Sequence, residues 1–174
     1  FALLRWIAKI YISIMRGTPL MLQLLVVFFA PYYVFGISTP YMYRLYAVII
    51  GFSLNYAAYF AEIFRGGIEA IPKGQYEAAS MLGMTKMQTF FRIILPQVTK
   101  RVIPATSNEV IVLVKDTSLA NVIAFAEITM KAKQQMNLYS SITPLFIAGA
   151  FYFVLNAIVT VAFAVIEKKF DYYK

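Results

Sequence analysis

The strongest constraint on this chain is that residues 143–166 contain no charged side chain and are mostly apolar. The hydrocarbon core of a bilayer is about 30 Å thick, and a helix needs roughly 20 apolar residues to cross it. Three other stretches come near that requirement, at 18–35, 45–64 and 102–130. The sequence therefore predicts an all-α, polytopic helical membrane protein with four spans in a single domain, residues 1–174.

Composition supports a chain whose outer surface faces lipid. Hydrophobic residues make up 61% of it and charged residues 14%, against about 45–50% and about 25% in soluble domains. The chain has no cysteine and no histidine. Disulfide and thiol chemistry are therefore absent, as are the usual metal ligand and proton shuttle, and no metal site is predicted.

The basic residues indicate an orientation. Of the 16 Lys and Arg residues, twelve fall on one side of the predicted spans: Arg5, Lys9, Arg16, Arg65, Lys73, Lys86, Arg92, Lys100, Arg101, Lys168, Lys169 and Lys174. Arg44, Lys131 and Lys133 fall on the other. The positive-inside rule then places the N-terminal end, the loop 65–101 and the C-terminus in the cytoplasm. It also accounts for the net charge of +8, so no nucleic-acid partner is predicted.

The N-terminal stretch 1–15 mixes apolar residues with Arg5 and Lys9. It is typical either of an interfacial helix or of the lower end of a span. The chain begins with Phe rather than Met and has no signal-peptide pattern. It is therefore expected to be a fragment. At the start of the first span, Thr18 is expected to cap a helix with Pro19 in its first position.

The loop 65–101 is too polar to cross a bilayer. Gly66-Gly67 is expected to end the preceding helix, and a turn follows at 71–74. Residues 75–82 are good helix sequence, and Gly83 is placed to close that helix. Within it, Ala78 and Ala79 lie beside the carboxylate of Glu77, and their small side chains would let another surface approach closely.

A second short helix is predicted after Gly83. Thr85 and Gln88 have the spacing of a capping box. Met87, Phe90, Phe91 and Ile94 follow at the spacing of one apolar helix face. Leu95-Pro96 is expected to end the helix, because a residue before proline avoids the helical region. Pattern alone leaves two roles open for this hairpin, a partner-docking element or an interfacial cover over the span ends.

Lys115 and Asp116 lie within the third apolar stretch, and a charge at the bilayer centre costs about 2.5–3.5 kcal/mol on insertion scales. As one helix, residues 102–130 would be roughly 43 Å long, so an interruption near 115–118 is expected. Broken helices at mid-membrane are where transporters bind substrate, which makes Thr117 and Ser118 candidates too. The alternatives are a self-neutralising Lys115/Asp116 pair or a bend near the outer headgroups.

Four further polar residues lie in predicted spans and are candidates for substrate binding. Asn108 and Glu109 are placed to line a cavity. Glu62 lies near the inner end of its helix and could instead reach the cytoplasmic interface. Asn55 lies on an otherwise apolar turn, and its alternative role is a structural hydrogen bond between helices.

A family resemblance joins these segments. Glu77-Ala78-Ala79, then Gly83, then Ile94-Leu95-Pro96 resembles the EAA–Gly–(x)n–LP loop of ABC importer permeases. Four segments, in this order across most of the chain, are similar to the polar amino-acid uptake subfamily: Arg16-Gly17-Thr18-Pro19-Leu20, Ala61-Glu62-Ile63-Phe64-Arg65-Gly66-Gly67-Ile68, Gly74-Gln75-Tyr76-Glu77-Ala78-Ala79 and Lys115-Asp116-Thr117-Ser118-Leu119. Family members usually have one more span before the stretch that matches Phe1.

The resemblance implies a type I, MetI-like fold and the membrane subunit of a bacterial ATP-driven importer for a polar amino acid. Its implied partners are a cytoplasmic ABC ATPase dimer that binds ATP and Mg, a second permease subunit (identical or paralogous), and an extracytoplasmic amino-acid-binding protein. The implied ATPase-coupling residues are Glu77, Ala78, Ala79, Gly83, Met87, Phe90 and Phe91. In the subfamily a mid-membrane cavity holds the α-groups of the substrate, so Asp116 could meet an α-ammonium.

The chain contains no GxxxxGK[ST] phosphate loop, so it is expected to be a permease without its own cofactor, not an enzyme. An ion-coupled secondary carrier or a channel for a small polar solute is the alternative, with Lys115 and Asp116 coupling to an ion. An intramembrane enzyme is disfavoured because the sequence offers no histidine, cysteine or metal cluster.

Overall fold

The computed structural model describes residues 2–170, and within that range the chain forms helices and no strand. The α-helices are α1 (Ala2–Gly17), α2 (Leu20–Phe35), α3 (Tyr43–Glu69), α4 (Lys73–Met81), α5 (Lys86–Thr89), α6 (Leu95–Asp116), α7 (Ile128–Tyr139) and α8 (Thr143–Phe170). A π-helical turn, Phe90–Ile94, joins α5 to α6, and a 3₁₀ segment, Thr117–Ile123, follows α6. The all-α prediction is confirmed.

The axes of α1 and α2 meet at 110°. Pro19 is extended at this corner, with ψ of 132°. The expected Thr18 cap is wrong: the Thr18 hydroxyl donates backwards to the Ile14 carbonyl at 2.8 Å, and α2 has no side-chain cap. The Gln23 amide instead reaches back across the corner, donating to the carbonyls of Met15 at 2.9 Å and Thr18 at 3.1 Å. Gln23 thus satisfies carbonyls that the end of α1 leaves without helical partners.

The main core lies where α2 and α3 pack together and meet the 3₁₀ segment. Leu24 and Ala47 are fully buried there, at 0% exposure. Gly51 lets the two helices approach closely, because an added Cβ would lie 3.2 Å from Leu24 Cδ1. At the other end of the pair, the Tyr43 hydroxyl donates to the Val27 carbonyl at 2.9 Å. Small residues and interhelical hydrogen bonds of this kind stabilise the association of helices in lipid.

Helix α3 does not break at Gly66-Gly67, so that prediction is wrong. The helix continues to Glu69, and Gly67 is buried against α6. A Cβ at Gly67 would lie 2.3 Å from Val102 Cγ1, whereas one at Gly66 would meet nothing within 4 Å. Gly67 therefore lets α3 and α6 pack closely together. The Gly66-Gly67 pattern alone does not distinguish this role from a helix break.

The chain also stays helical through Leu95-Pro96, which contradicts the expected stop. The π-helical turn passes directly into α6, and the Leu95 N–H bonds to the Phe90 carbonyl. A proline lacks the N–H and clashes with the carbonyl four residues back in a regular α-helix. The wider turn relieves that conflict. It also alters the angular spacing, so Ile94 is buried while Met87 and Phe91 stay exposed; the predicted common face is wrong.

Two helices, α3 and α8, are long and apolar enough to cross a bilayer, and α1 with α2 would add a third if the bent pair is one span. Helix α2 alone has 16 residues, or roughly 24 Å. Helix α6 becomes 3₁₀ at Thr117, within the predicted interruption. The count of four spans stays a prediction, and Lys174 lies outside the described residues.

Gly67→Ala is expected to destabilise the fold by about 1–3 kcal/mol, because the new methyl overlaps Val102. Val102 cannot easily move aside, since a β-branched side chain in a helix has one strongly preferred rotamer. The matched control is Gly66→Ala, which gains helix propensity of roughly 1 kcal/mol in open space. Thermal unfolding of the purified protein in detergent measures both. Equal midpoints for the two variants would contradict the packing role of Gly67.

Candidate functional site

A carboxylate lies where α6 changes to the 3₁₀ segment. Asp116 is the last residue of α6 and is half-buried. Its Oδ2 accepts a hydrogen bond from the Tyr56 hydroxyl of α3 at 2.8 Å. Among the described residues, Asp116 forms no ion pair within 4.0 Å. The charge is therefore held by a neutral donor across a helix–helix contact, and its other oxygen remains available.

Tyr56 is itself firmly placed. Its side chain is 6% exposed, and its ring lies parallel to that of Phe52, with the centroids 6.4 Å apart and an interplanar angle of 9°. Tyr59 and Phe60 pack around the same ring at 6.1 and 6.3 Å. An aromatic ladder on α3 thus fixes the direction of the hydroxyl that meets Asp116.

The neighbours of Asp116 have different environments. Lys115 is exposed, and no ion pair joins it to Asp116, so the self-neutralising alternative does not describe this arrangement. The Thr117 hydroxyl donates to the Val114 carbonyl at 2.7 Å. The Ser118 carbonyl accepts from the amide of Asn121. The hydroxyl of Thr117 is therefore engaged in closing the end of α6.

The far end of the 3₁₀ segment is held by cations. Arg44 Nε donates to the Ile123 carbonyl at 3.1 Å, and its guanidinium lies over the ring of Tyr41 at 4.8 Å. Lys133 Nζ donates to Asn121 Oδ1 at 2.9 Å. The segment that follows Asp116 is thus tied to α3 at both ends and to α7 in its middle.

The other predicted lining residues are dispersed. Glu109 precedes Asp116 by seven residues, so it lies on the same face of α6, about 10.5 Å along the axis. Glu109 is half-buried and Asn108 is exposed. Asn55 is 4% exposed and points to α1 and α2, where its amide donates to Gln23 Oε1 at 3.0 Å. Asn55 thus makes the helix–helix hydrogen bond that was one of its two expected roles.

Glu62 belongs to a separate cluster. Its carboxylate pairs with Arg65 at 2.7 Å on the same helix and with Arg16 of α1 at 3.2 Å. Arg65 also pairs with Glu69 at 2.7 Å. Arg16 and Arg65 are about half exposed, at 45% and 55%. Exposed pairs contribute little individually, so this network mainly aligns α1 with α3. The structure does not bring Glu62 together with Asp116.

The turn between the two short helices of the loop has the local structure that its sequence predicts. Gly83 adopts φ of +70°, with its N–H bonded to the Ser80 carbonyl and that of Met84 to the Ala79 carbonyl. This pair of bonds is a Schellman motif. Thr85 and the side chain of Gln88 form a complete capping box. Both predictions are confirmed. The left-handed Gly83 and the capping box of Thr85 and Gln88 together fix the turn between α4 and α5.

The loop presents one face outward. Glu77 and Ala78 are exposed, whereas Ala79 is 1% exposed and packs within the chain. Ala79 is therefore not the small residue that a partner could approach. The exposed apolar side chains here are Tyr76 (41%), Met81 (90%), Leu82 (79%), Met87 (66%), Phe90 (38%) and Phe91 (55%). An apolar patch of this kind on an otherwise polar loop marks an interaction surface.

A second core cluster attaches the loop to the bundle. Ile71, Ile94, Val98 and Val102 are buried together. Gln97 Nε2 donates to Gln75 Oε1 at 3.2 Å. The loop therefore packs on the start of α6, the helix that carries Asp116 at its other end.

Bilayer-length helices, a carboxylate at the break of a helix and an exposed two-helix loop together define the membrane-embedded subunit of a transporter. A model of the family described as "Binding-protein-dependent transport system inner membrane component" matches residues 1–172. The chain belongs to this family, and the predicted identity as an ABC importer permease is confirmed. Importers of this family work with an ATPase and a binding protein.

Individual relatives agree. The chain is 41% identical over 173 residues to the L-cystine transport system permease protein TcyB of Bacillus subtilis, covering 98% of this chain and 72% of the relative. A crystal structure of an amino acid ABC transporter with histidines matches with a TM-score of 0.84 and 35% identity, over 94% of this chain and 75% of that one. The MetNI methionine ABC transporter shares the fold, with a TM-score of 0.77 at 21% identity over 97% and 76%. The MetI-like fold is thus confirmed.

Sequence reasoning missed Tyr56, Gln23 and Arg44. Tyr56 is one of 13 tyrosines, and aromatic residues in apolar helices are usually packing residues, so nothing marked it as a donor. Gln23 gave a usable signal, because a carboxamide in an uncharged span needs a partner. Arg44 was counted for orientation, and its contact with Ile123 joins residues 79 positions apart, a distance that no local pattern predicts.

Tyr56→Phe should lower the free energy of unfolding by about 1 kcal/mol, and at most roughly 2 kcal/mol, because Asp116 loses its donor. Tyr59→Phe is the matched control, since among the described residues its hydroxyl has no partner. In a double-mutant cycle with Asp116→Asn, the tyrosine change should cost less once the carboxylate is gone. Additive costs would refute a direct coupling. Unfolding in detergent supplies all four values.

Proposed function

We propose that this chain is the transmembrane subunit of a bacterial importer that moves a polar amino acid across the cytoplasmic membrane. The observation that carries the proposal is Asp116, a half-buried carboxylate at a helix break whose one hydrogen bond leaves an oxygen available. A relative named as an L-cystine permease and an amino acid ABC transporter solved with histidines are similar over nearly the whole chain. Both of those substrates share the α-ammonium and α-carboxylate groups.

In this proposal Asp116 receives the α-ammonium. Tyr56 keeps the carboxylate oriented, and the exposed Lys115 next to it supplies positive charge for the α-carboxylate. Backbone groups at the start of the 3₁₀ segment, by Thr117 and Ser118, complete the site. Glu109, on the same face of α6, extends the polar path. Recognition of α-groups alone would leave the side chain of the substrate to be selected elsewhere, including by the binding protein.

The loop 65–101 is proposed to lie in the cytoplasm and to dock on a separate ABC ATPase dimer that binds ATP and Mg. Its exposed apolar face, with Met81, Leu82 and Met87, is the contact surface. A second permease subunit, identical or paralogous, completes the pathway. An extracytoplasmic binding protein delivers the substrate.

A single helix links the two sites. Helix α6 starts at the loop and ends at Asp116, 22 residues later, or about 33 Å. The contact of Gly67 with Val102 and the burial of Ile94 and Val98 join the loop to its first turns. Movement of the loop on its ATPase would therefore reposition Asp116 against Tyr56 through α6, in which Pro104 is an interior proline.

The function is tested with the reconstituted complex of permease, ATPase and binding protein, using individual amino acids to stimulate ATP hydrolysis. A polar amino acid should stimulate it, and Asp116→Ala should reduce that stimulation tenfold or more, about 1.4 kcal/mol. Val161→Ala, a change at an exposed apolar position on α8 with no proposed role, is the control. Uptake that continues without the ATPase and collapses with an ion gradient would instead establish an ion-coupled carrier.

The docking surface is tested by cross-linking in the assembled complex. Ala78→Cys should cross-link to a cysteine in the ATPase groove, because Ala78 is exposed beside Glu77. Ala79→Cys is the adjacent control and should fail, because that side chain is 1% exposed. Equal yields at the two positions, or no cross-link at Ala78 in an active complex, would contradict docking through this face.

A further inference from the structure

A basic groove lies within the loop 65–101, lined by residues other than the exposed apolar side chains proposed for ATPase docking. It encloses a cavity of about 650 Å³ between α4 and the start of α6. Three cationic side chains line it, Arg92, Lys100 and Arg101, together with the carboxamides of Gln75 and Gln97. Among the described residues that line the groove, none is acidic. A concave site with this lining selects for an anion.

The groove is structurally built. Gln97 Nε2 donates both to Gln75 Oε1 at 3.2 Å and to the Ile93 carbonyl at 3.0 Å, which fixes one wall. Arg101 Nη1 donates to the Ala70 carbonyl at 2.5 Å, so its guanidinium is held in place and presents its remaining N–H groups. Arg92 is exposed on the π-helical turn. Arg92 and the anchored Arg101 both line the groove, and guanidiniums bind a phosphate through charge-assisted hydrogen bonds.

The groove continues into a crevice between α6 and α8. Lys100 lines both, and the crevice, about 360 Å³, also includes Lys168, Glu167 and Pro104. The uncharged stretch 143–166 of α8 is followed by Glu167 and then by Lys168. The groove is therefore level with the point where α8 leaves the hydrocarbon, which is the depth of lipid headgroups.

We propose that the groove binds the phosphate headgroup of an anionic phospholipid in the same leaflet, with the acyl chains lying along α8. Basic pockets between helices at this level bind such headgroups in membrane proteins. The apolar window of α8 is 0% buried within this chain, so acyl chains have a surface beside the crevice. The inference goes beyond the transport function, and it rests on the proposed orientation only for assigning the leaflet as cytoplasmic.

An acidic surface of the ATPase is the competing occupant. The loop face proposed for ATPase docking is apolar, with Met81 and Leu82 at its tip, whereas the groove opens toward α8 through Lys100. The shared lining with the crevice along α8 favours a lipid, because a lipid can contact both the groove and the apolar surface of α8, whereas a soluble protein cannot enter the bilayer.

The experiment uses the assembled complex in bilayers of phosphatidylcholine with photoactivatable phosphatidylglycerol, and mass spectrometry to map labelled peptides. Arg92→Gln/Arg101→Gln should reduce labelling of the groove and of α8 near Lys168 at least about fivefold, since each basic residue near an anionic surface contributes about that factor. Arg5→Gln/Lys9→Gln removes equal charge elsewhere on the same predicted side and should change it less than about twofold. Arg92→Lys/Arg101→Lys, which keeps the charge and serves as a folding control, should retain labelling.

Three outcomes would overturn the proposal. Equal labelling in the groove and control variants would mean general surface attraction only. Competition by inorganic phosphate would show a site for soluble anions. Unchanged labelling together with loss of ATPase co-purification in Arg92→Gln/Arg101→Gln would assign the groove to the ATPase. Substrate-stimulated ATP hydrolysis, measured in parallel, separates each of these from a failure of the transport function.

Discussion

The arrangement of this protein depends on one hydrogen bond between α3 and α6, from the Tyr56 hydroxyl to the Asp116 carboxylate. Removing Asp116 from water is costly, and an unpaired charge would be expelled or neutralised. The Tyr56 hydroxyl offsets part of that cost at 2.8 Å while adding no opposite charge that would compete with a cationic group. One hydrogen bond thus joins the aromatic ladder on α3 to the end of α6, at the residue where the 3₁₀ segment begins.

Polar side chains elsewhere in the bundle form hydrogen bonds with backbone carbonyls as well as with other side chains. Gln23 covers carbonyls at the sharp corner after α1 and also accepts from Asn55. Arg44 does the same for the end of the 3₁₀ segment. At both places a side chain satisfies backbone carbonyls that have no helical partner. The corners are consequently also the places where the helices are joined.

The sequence predicted the helical class, the loop hairpin and the interruption near Asp116, because each depends on residues close together in the chain. Gly83, Thr85 and Gln88 act within a few positions, and the structure has their motifs as expected. Two predicted helix ends were wrong. Gly67 provides the close approach of Val102 from a distant segment and does not end α3, and a π-helical turn carries the chain past Pro96. The identity of the donor to Asp116 could not be predicted, since Tyr56 is 60 residues away.

The π-helical turn Phe90–Ile94 has a geometric consequence for the whole helix that follows it. Such a turn holds one residue more than the α-helical turn it replaces, and each residue in an α-helix advances the chain by about 100° around its axis. The surplus residue therefore sets the phase between the outward face of the loop and the side of α6 on which Asp116 lies. Removing one residue from this turn would leave the loop and α6 helical but rotate α6 relative to the loop by roughly a quarter of a revolution. With the loop docked, the Asp116 carboxylate would then no longer face α3.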